Sequence, residues 1–468
     1  MAAQSEYLSA FEAERLVESI VKLDISEFGS PKWERQHEIV EKLNIQAHCN
    51  LKANNEEYVT QALIVSGKIS NLVHNLLITN MWKKNALPHL IEHISAHDSL
   101  KAYFMVFSEA SLANLIQVLL FDREACKQVG ENMVHLVDYL VGKVIYLCTL
   151  SNVNQPTPKS VSEYNSITER EWNQRNLSDM DFSIAISALA SLRYITDTVD
   201  SLGLSILNRI LLKQDMCLFK ARPRLVVLLE RAPWMRKVET QGGCIQRYQD
   251  GQWKKIKNDD INLLGQVEAQ VWLSLYNLMM DRECRRIYTY TKHNQRIVLR
   301  LKDFMDEILM DQLSILSDLK RYLEELTMME VPEASTMPTF SGIEVIPDAV
   351  AEVLDWKEYA MIQKQTLFGQ STSQTRQASL ERLARVYDFD DLDILAEQPM
   401  CNKCGNPATQ RCSKCRSEWY CSRQCQVKAW KGHKSICDVL HTAGSGSSRP
   451  YSSSSGLPRL AQQRIQEA

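Results

Sequence analysis

The chain has 468 residues, 45% of them hydrophobic and 24% charged, so it can bury a large core and form two or three domains. Its formal net charge of −3 at pH 7 gives no support to a protein that binds polyanions. The N-terminus carries acidic residues and lacks the apolar stretch of a secretory signal.

A membrane span is not expected either. The most apolar helical stretch, residues 134–150, is interrupted by His135, Asp138 and Lys143. We therefore expect a soluble protein.

From residue 8 to about residue 329, apolar residues recur mostly at intervals of three and four, as at Phe11, Leu16, Val17 and Ile20. This periodicity predicts an all-α region over residues 1–330. Gly and Pro are scarce, at 16 and 13, and strands do not alternate with helices, which argues against a Rossmann or barrel enzyme. Successive amphipathic helices predict a stacked array of the armadillo or HEAT type, although the sequence shows no clean repeat period.

Two stretches of the array depart from helical periodicity. Residues 152–168 are rich in Asn, Pro, Ser and Thr, which predicts an exposed loop. Residues 242–256 place Asp250-Gly251 between alternating residues, which predicts a β-hairpin. We also expect Ser108 and Glu109 to open a helix over residues 111–126, and one long helix over residues 295–329.

Composition divides the rest of the chain. Residues 331–347 are rich in Pro, Ser, Thr and Gly and read as a linker, and residues 348–396 as a helical connector with helices at 349–364 and 375–387. A cysteine-rich segment follows at 401–437. The tail at 442–468 begins with a Ser- and Gly-rich run and is predicted to be disordered.

Residues 401–437 contain seven of the thirteen cysteines, in the spacing C-x2-C-x7-C-x2-C-x5-C-x3-C-x7-H-x3-C. Eight ligands at these intervals suit two tetrahedral Zn²⁺ ions, each with four ligands and no open position, so the sites are structural and not catalytic. So short a segment buries too little apolar surface to fold alone, and metal binding must supply the missing free energy. The predicted ligands are Cys401, Cys404, Cys412, Cys415, Cys421, Cys425, His433 and Cys437.

The remaining cysteines lie among apolar neighbours without metal-ligand spacing, and we expect buried free thiols in a reducing compartment, the cytosol or the nucleus. His89, His93 and His97 share one helical face, which we interpret as solvated. The pair His48-Cys49 is interpreted as structural, since adjacent helical residues point in different directions. We predict no catalytic residue.

The segment is also basic, with a single acid, Glu418. Basic residues beside zinc thiolates offset their negative charge, so acidic protein partners are favoured over nucleic acid. The basic residues are Lys403, Arg411, Lys414, Arg416, Arg423, Lys428, Lys431 and Lys434.

The ligand spacing, Trp419-Tyr420 before the fifth ligand and the run at 425–430 resemble the MYND zinc finger. That resemblance implies interleaved sites. One ion would be held by Cys401, Cys404, Cys421 and Cys425, and the other by Cys412, Cys415, His433 and Cys437.

MYND fingers are interaction modules that bind short proline-containing peptides in a shallow groove. By position, the resemblance implies peptide-binding roles for Ser413, Gln426 and Trp430. In the alternative interpretation, Trp430 only packs on the zinc core.

The wider chain resembles the zinc finger MYND domain-containing protein 10 family at residues 33–47, 192–205, 232–234 and 265–279 and, within the finger, at 417–430. The resemblance implies a non-enzymatic adaptor for preassembly of axonemal dynein arms in the cytoplasm, including the apical, centriole-proximal cytoplasm of ciliated cells. The implied partners are dynein assembly factors, including a leucine-rich-repeat protein, and the Hsp90 chaperone system with its co-chaperones. Axonemal dynein chains would be clients, with no nucleic acid or membrane bound.

Two other functions remain open at this point. A nuclear transcriptional corepressor could use the finger to recruit silencing complexes, but it should carry a DNA-binding module or a basic localisation run elsewhere, and the sequence shows neither. A SET-type lysine methyltransferase should carry cofactor-binding motifs and a finger near its start, whereas this finger is C-terminal.

Overall fold

The computed structural model describes most of the array and parts of the regions that follow it. The described residues are 7–53, 57–91, 99–150, 169–332 (without 202, 213–223, 239–243, 258–259 and 289), 355–368 and 401–444 (without 402, 405–407, 409 and 415–418). The predicted loop at 152–168 lies outside them. So do nearly all of the linker at 331–347, most of the connector at 348–396 and residues 445–468 of the tail.

Helices account for most of the described residues. They are α1 Ala10–Glu18, α2 Pro31–Ala53, α3 Tyr58–Val65, α4 Ile69–Asn85, α5 Leu87–Leu90, α6 Ser99–Leu119, α7 Arg123–Gln128, α8 Met133–Thr149, α9 Glu169–Thr196, α10 Leu204–Leu212, α11 Arg224–Arg231, α12 Gln266–Met280, α13 Arg282–Ile287, α14 Lys292–Leu299, α15 Glu307–Gln312, α16 Leu316–Met328, α17 Trp356–Gln363 and α18 Arg423–Gly444.

Four long helices, α2, α6, α9 and α12, lie side by side in one layer. Near the start of α2 and α6, the ring of His37 lies 6.4 Å from that of Phe104. Further along the same two helices, the Nδ2 of Asn114 donates to the Oδ1 of Asn44 at 3.3 Å. These helices therefore run in the same direction.

The same direction continues along the layer. Phe121, just after α6, meets Tyr194 at the end of α9, with ring centroids 5.5 Å apart. Asn277, near the end of α12, donates to the Oγ1 of Thr196 at 3.1 Å. Helices α4 and α8 pack behind α6 and α9 and form a second layer. The prediction of an armadillo- or HEAT-like helical array is confirmed.

Helix α6 is long and apolar enough to cross a bilayer over Lys101–Leu119. Most of that stretch is buried inside the protein, where α6 packs against α2, α4 and α9. Its apolar composition is that of a central core helix.

A small antiparallel sheet of order β1-β2-β3 follows α11, with strands Met235–Val238, Cys244–Gln249 and Gln252–Lys255. The turn at Asp250 and Gly251 has φ values of 50° and 75°, as a two-residue type I′ hairpin requires. The hairpin predicted at 242–256 is confirmed. Strand β1 was not predicted, because four residues without a turn signal cannot be told from loop.

The helix expected over 295–329 is wrong, since α14, a 3-10 turn at Arg300–Phe304, α15 and α16 replace it. The side chain of Asp306 accepts from the backbone N of Leu309 at 2.8 Å and starts α15 afresh. Leu313, at φ −137° and ψ 70°, then ends α15. The cap at Asp306 and the backbone conformation of Leu313 therefore divide the helix, although the apolar residues keep a helical spacing across both.

The helix start expected at Ser108 and Glu109 is also wrong, since α6 runs through both residues. The side chain of Glu109 is fully buried and joins the two layers. Its Oε2 lies 2.7 Å from the Nζ of Lys83 on α4, and its Oε1 lies 2.5 Å from the Nζ of Lys143 on α8. Tyr139 donates to Oε1 at 3.0 Å, and Asp181 on α9 pairs with Lys83.

Burial alone would raise the pKa of Glu109, but the ammonium groups of Lys143 and Lys83 outweigh it and hold the pKa below its usual value. The carboxylate is therefore ionised at neutral pH. Removing its charge leaves two poorly solvated ammonium groups without their main counter-charge.

We expect Glu109→Gln to lower the free energy of unfolding by about 3–5 kcal/mol, the range for breaking a buried ion pair. Urea denaturation followed by circular dichroism measures this. The matched control is Glu38→Gln, because Glu38 pairs with Lys42 at 2.8 Å on the surface of α2 and should cost less than about 1 kcal/mol. Equal losses in the two variants would contradict the assigned role of Glu109.

His37 supplies a prediction for pH. Its ring stacks on Trp33 at 5.2 Å, and burial lowers its pKa to about 4, although Glu41 lies 3.8 Å away. Between about pH 6.5 and pH 4 the unfolded chain binds a proton that the folded chain does not, so stability is lost as pH falls through this window.

We expect His37→Phe to reduce the slope of the unfolding free energy in that window by up to about 1.4 kcal/mol per pH unit, the value for one proton. The exposed His89, changed to Phe, is the control for loss of a histidine from the surface, and its slope is compared with that of His37→Phe. An unchanged slope for His37→Phe would show that this imidazole binds a proton in the folded state.

Candidate metal centre

The finger is built from one short hairpin and one helix. Strands β4 (Gln410–Arg411) and β5 (Trp419–Tyr420) pair antiparallel, so Cys412 and Cys421 each follow a strand directly. Helix α18 then carries Cys425, His433 and Cys437. The hydroxyl of Ser422 accepts from the backbone N of Cys425 at 3.3 Å and caps the start of that helix.

One group of potential ligands comprises Cys401, Cys404, Cys421 and Cys425. The Sγ of Cys404 lies 3.4 Å from that of Cys421 and 3.8 Å from that of Cys425, and the Sγ atoms of Cys421 and Cys425 are 3.6 Å apart. A tetrahedron with Zn–S bonds of about 2.3 Å has edges of about 3.8 Å. The four thiols therefore fit one zinc ion.

The second group comprises Cys412, His433 and Cys437, all buried. The Sγ atoms of Cys412 and Cys437 are 3.8 Å apart, again a tetrahedral edge. His433 and Cys437 lie four residues apart on α18 and so share a helix face. The predicted fourth ligand, Cys415, lies outside the described residues.

The division of ligands matches the interleaved arrangement that the MYND resemblance implies. Each site takes ligands from the N-terminal part of the finger and from α18, so neither can form from one contiguous stretch. Burial lowers the pKa of His433, which favours the neutral imidazole that zinc binds.

Electrostatics also favours a cation at the four-thiol site. Burial raises the pKa of Cys401, but hydrogen bonds from backbone N–H groups outweigh it and lower that pKa to about 6, whereas the neighbouring thiols of Cys404 and Cys425 raise the pKa of Cys421. A further thiolate at this distance is unfavourable unless a cation offsets the charge. Zinc supplies that charge, and its binding therefore releases protons.

The apolar cluster of the finger is small over the part that the structure describes. There its buried members are Cys401, Ala408, Cys412, Tyr420 and Cys437, so three of the five are also metal ligands. The ring of Tyr420 lies 6.1 Å from that of His433 and covers the second site. Metal binding and packing therefore depend on the same residues.

The predicted peptide-binding residues come from two elements of the finger. Gln426 and Trp430 lie one turn apart on α18, whereas Ser413 is exposed in the turn after Cys412. The indole of Trp430 packs 5.8 Å from the ring of His433, yet Trp430 remains 38% exposed. Its neighbour Val427 is 67% exposed. Trp430 therefore contacts the zinc core and still offers an apolar surface for binding.

One cross-strand pair was missed from the sequence. The guanidinium of Arg411 lies 4.2 Å from the ring centroid of Trp419, its partner in the β4–β5 register. Arg411 is thus a packing residue as well as a positive charge. A two-residue strand has no periodicity from which this pairing could be predicted.

The other chemical candidates are placed as follows. His89 is exposed, and His93 and His97 lie outside the described residues. Burial lowers the pKa of His48 to about 4 and raises that of the Cys49 thiol. A thiol with a raised pKa is a poor nucleophile.

Both the finger and the chain as a whole are similar to known proteins. The MYND finger model matches residues 401–437. The zinc finger MYND domain-containing protein 10 homolog of Drosophila melanogaster is 31% identical over 454 residues, covering 90% of this chain and 96% of the relative. This chain belongs to the zinc finger MYND domain-containing protein 10 family. The family expectation from the sequence is confirmed.

Two further relatives match short stretches of this chain. Ubiquitin C-terminal hydrolase 15 of Oryza sativa subsp. japonica is 44% identical over 59 residues, which is 12% of this chain and 5% of the relative. Histone-lysine N-methyltransferase SMYD3 of Homo sapiens is 46% identical over 43 residues, 9% of this chain and 10% of the relative. Matches this short carry no argument about enzymatic activity. No solved structure matches the chain.

We expect Cys421→Ser to reduce bound zinc from two ions per chain to at most one, because it removes a ligand that bridges the hairpin to α18. Metal analysis of the purified protein measures the ratio. Val427→Ser on the same helix is the control and should keep two ions, since Val427 is exposed and is not a ligand. Two ions retained in Cys421→Ser would remove Cys421 from the ligand set.

Proposed function

We propose that this protein is a non-enzymatic adaptor for preassembly of axonemal dynein arms in the cytoplasm of ciliated cells. The similarity over 90% of the chain to a zinc finger MYND domain-containing protein 10 homolog carries the proposal. Family resemblance implies the dynein role, and the structure is compatible with it. The proposed partners are other dynein assembly factors, including a leucine-rich-repeat protein, and the Hsp90 system.

Two surfaces suit an adaptor. The first is the finger, where Trp430 and Val427 expose apolar area beside basic residues such as Lys428. Such a surface fits a short peptide with apolar and acidic residues. Zinc holds the finger rigid, which lowers the entropic cost of binding.

The second surface is the solvent-facing side of the layer formed by α2, α6, α9 and α12. It carries half-buried aromatic residues, including Tyr103 and Phe107 on α6, whose rings stack at 5.8 Å. Tyr194 lies further along on α9. We assign this extended face to a folding client. Two linked sites of moderate affinity then reinforce each other through effective concentration.

The direct test is cross-linked affinity purification of the tagged protein from differentiating multiciliated cells, followed by mass spectrometry. Axonemal dynein chains together with Hsp90 co-chaperones are the expected result. Histone-modifying corepressors without dynein subunits would overturn the proposal and favour the nuclear adaptor.

We expect Trp430→Ala to reduce recovery of finger-bound partners at least tenfold, as loss of an aromatic anchor does. Zinc content should stay at two ions per chain, which separates lost binding from an unfolded finger. The control is Gln424→Ala, an exposed residue on the same helix. Unchanged recovery in Trp430→Ala would mean that Trp430 serves only the zinc core.

A further inference from the structure

A short segment far along the chain docks on the start of the array. The segment comprises residues 355–368, with α17 followed by a π-helical turn at Lys364–Phe368. It packs against α5 and the residues just before α2, more than 260 positions earlier in the sequence. Ala360 is 1% exposed and belongs to the main hydrophobic core of the array.

Gln363 is the centre of this contact. Its Oε1 accepts from the Nε1 of Trp82 at 2.7 Å, and its Nε2 donates to the backbone O of Phe28 at 2.9 Å and to the hydroxyl of Tyr359 at 2.7 Å. Trp82 is fully buried and Gln363 is 4% exposed. Without this side chain, a buried indole N–H and a buried carbonyl would lose their partners, which is costly.

Two further contacts fix the register of the segment. The hydroxyl of Tyr359 donates to the backbone O of Ile25 at 2.6 Å. Leu367 lies so close to Gly29 that a Cβ there would be 2.7 Å from its Cδ1, and Gly29 has a φ of +84°. The array therefore has a binding site shaped for this helix, with donors, acceptors and a glycine at matching positions.

We propose that residues 355–368 anchor the zinc finger to the N-terminal end of the array, although the finger follows the C-terminal end in sequence. The described array ends at Pro332, whose backbone O accepts from the N of Lys292 at 3.0 Å. Without the anchor, residues 333–400 would connect that point to the finger. With the anchor, the connection is residues 369–400 and starts beside Gly29.

The anchor changes two properties of the chain that connects the array to the finger. These are its length and the point on the array from which it starts. A connection of 32 residues in place of 68 roughly halves the greatest distance at which the finger can lie from its attachment point. Because the connection then starts beside Gly29, the finger is attached near α2 and α6 and not near α14 and α16. If the proposed adaptor function holds, the finger and the first half of the client face engage the same partner.

The anchor can be tested on the purified full-length protein without any partner. Gln363→Leu keeps the size of the side chain and removes its three hydrogen bonds. Gln365→Leu is the matched control, because Gln365 is exposed in the same segment. Ala360→Glu is a second variant that blocks docking by bulk and charge.

Hydrogen exchange reports the docking itself. In Gln363→Leu and Ala360→Glu we expect residues 355–368 and 24–30 to exchange at least tenfold faster, while α8 and α9 stay protected. Gln365→Leu should match the unchanged protein. The proposal would be overturned if residues 355–368 and 24–30 stayed protected from exchange in both anchor variants. It would also be overturned if protection fell equally throughout the array.

Lysine cross-linking reports the position of the finger. Cross-links from Lys428 and Lys434 should favour Lys22 and Lys32 at the N-terminal end over Lys292, with the ratio falling about twofold or more in the anchor variants. Faster exchange without a change in this ratio would also overturn the proposal. Neither readout depends on dynein subunits, so a failure of the proposed function would leave both unaffected.

Discussion

The array depends on one buried charge. The carboxylate of Glu109 has no contact with solvent, so it must be neutralised by groups that reach it from other helices, and Lys83 and Lys143 supply them at 2.7 and 2.5 Å. Hydrophobic burial is non-directional, whereas a buried ion cluster requires specific distances between the charged atoms of the helices that it joins. The cluster thereby fixes how α4, α6, α8 and α9 meet.

The finger is stabilised by a different interaction from the one that stabilises the array. The array has a large continuous core, whereas the apolar cluster described in the finger has five buried residues, of which three are ligands. Folding of the finger is therefore linked to zinc, and folding of the array is linked to packing and to its buried charges. A chelator should affect the first and leave the second, so the two parts can be perturbed separately.

Patterns that follow from a local rule could be predicted from the sequence. The three- and four-residue spacing of apolar residues predicted the helical array, and Asp250-Gly251 predicted the hairpin. The cysteine spacing predicted ligands for two zinc ions. The failures arise where a distant contact outweighs the local pattern. Glu109 resembles a helix cap in sequence, but Lys83 and Lys143 make it a core residue. The division of ligands between the two metals also needed family resemblance, because spacing alone permits other pairings.

Gln363 is the clearest case of information that the sequence withholds. A glutamine in a connector reads as a solvated polar residue, and the neighbouring Gln365 is one. Gln363 differs only because Trp82 and Phe28 present a buried donor and a buried acceptor at the distance that one amide can span. No local pattern distinguishes the two glutamines. In an array followed by long connecting segments, the position of a terminal module can thus be set by one polar side chain that folds back onto the start of the chain.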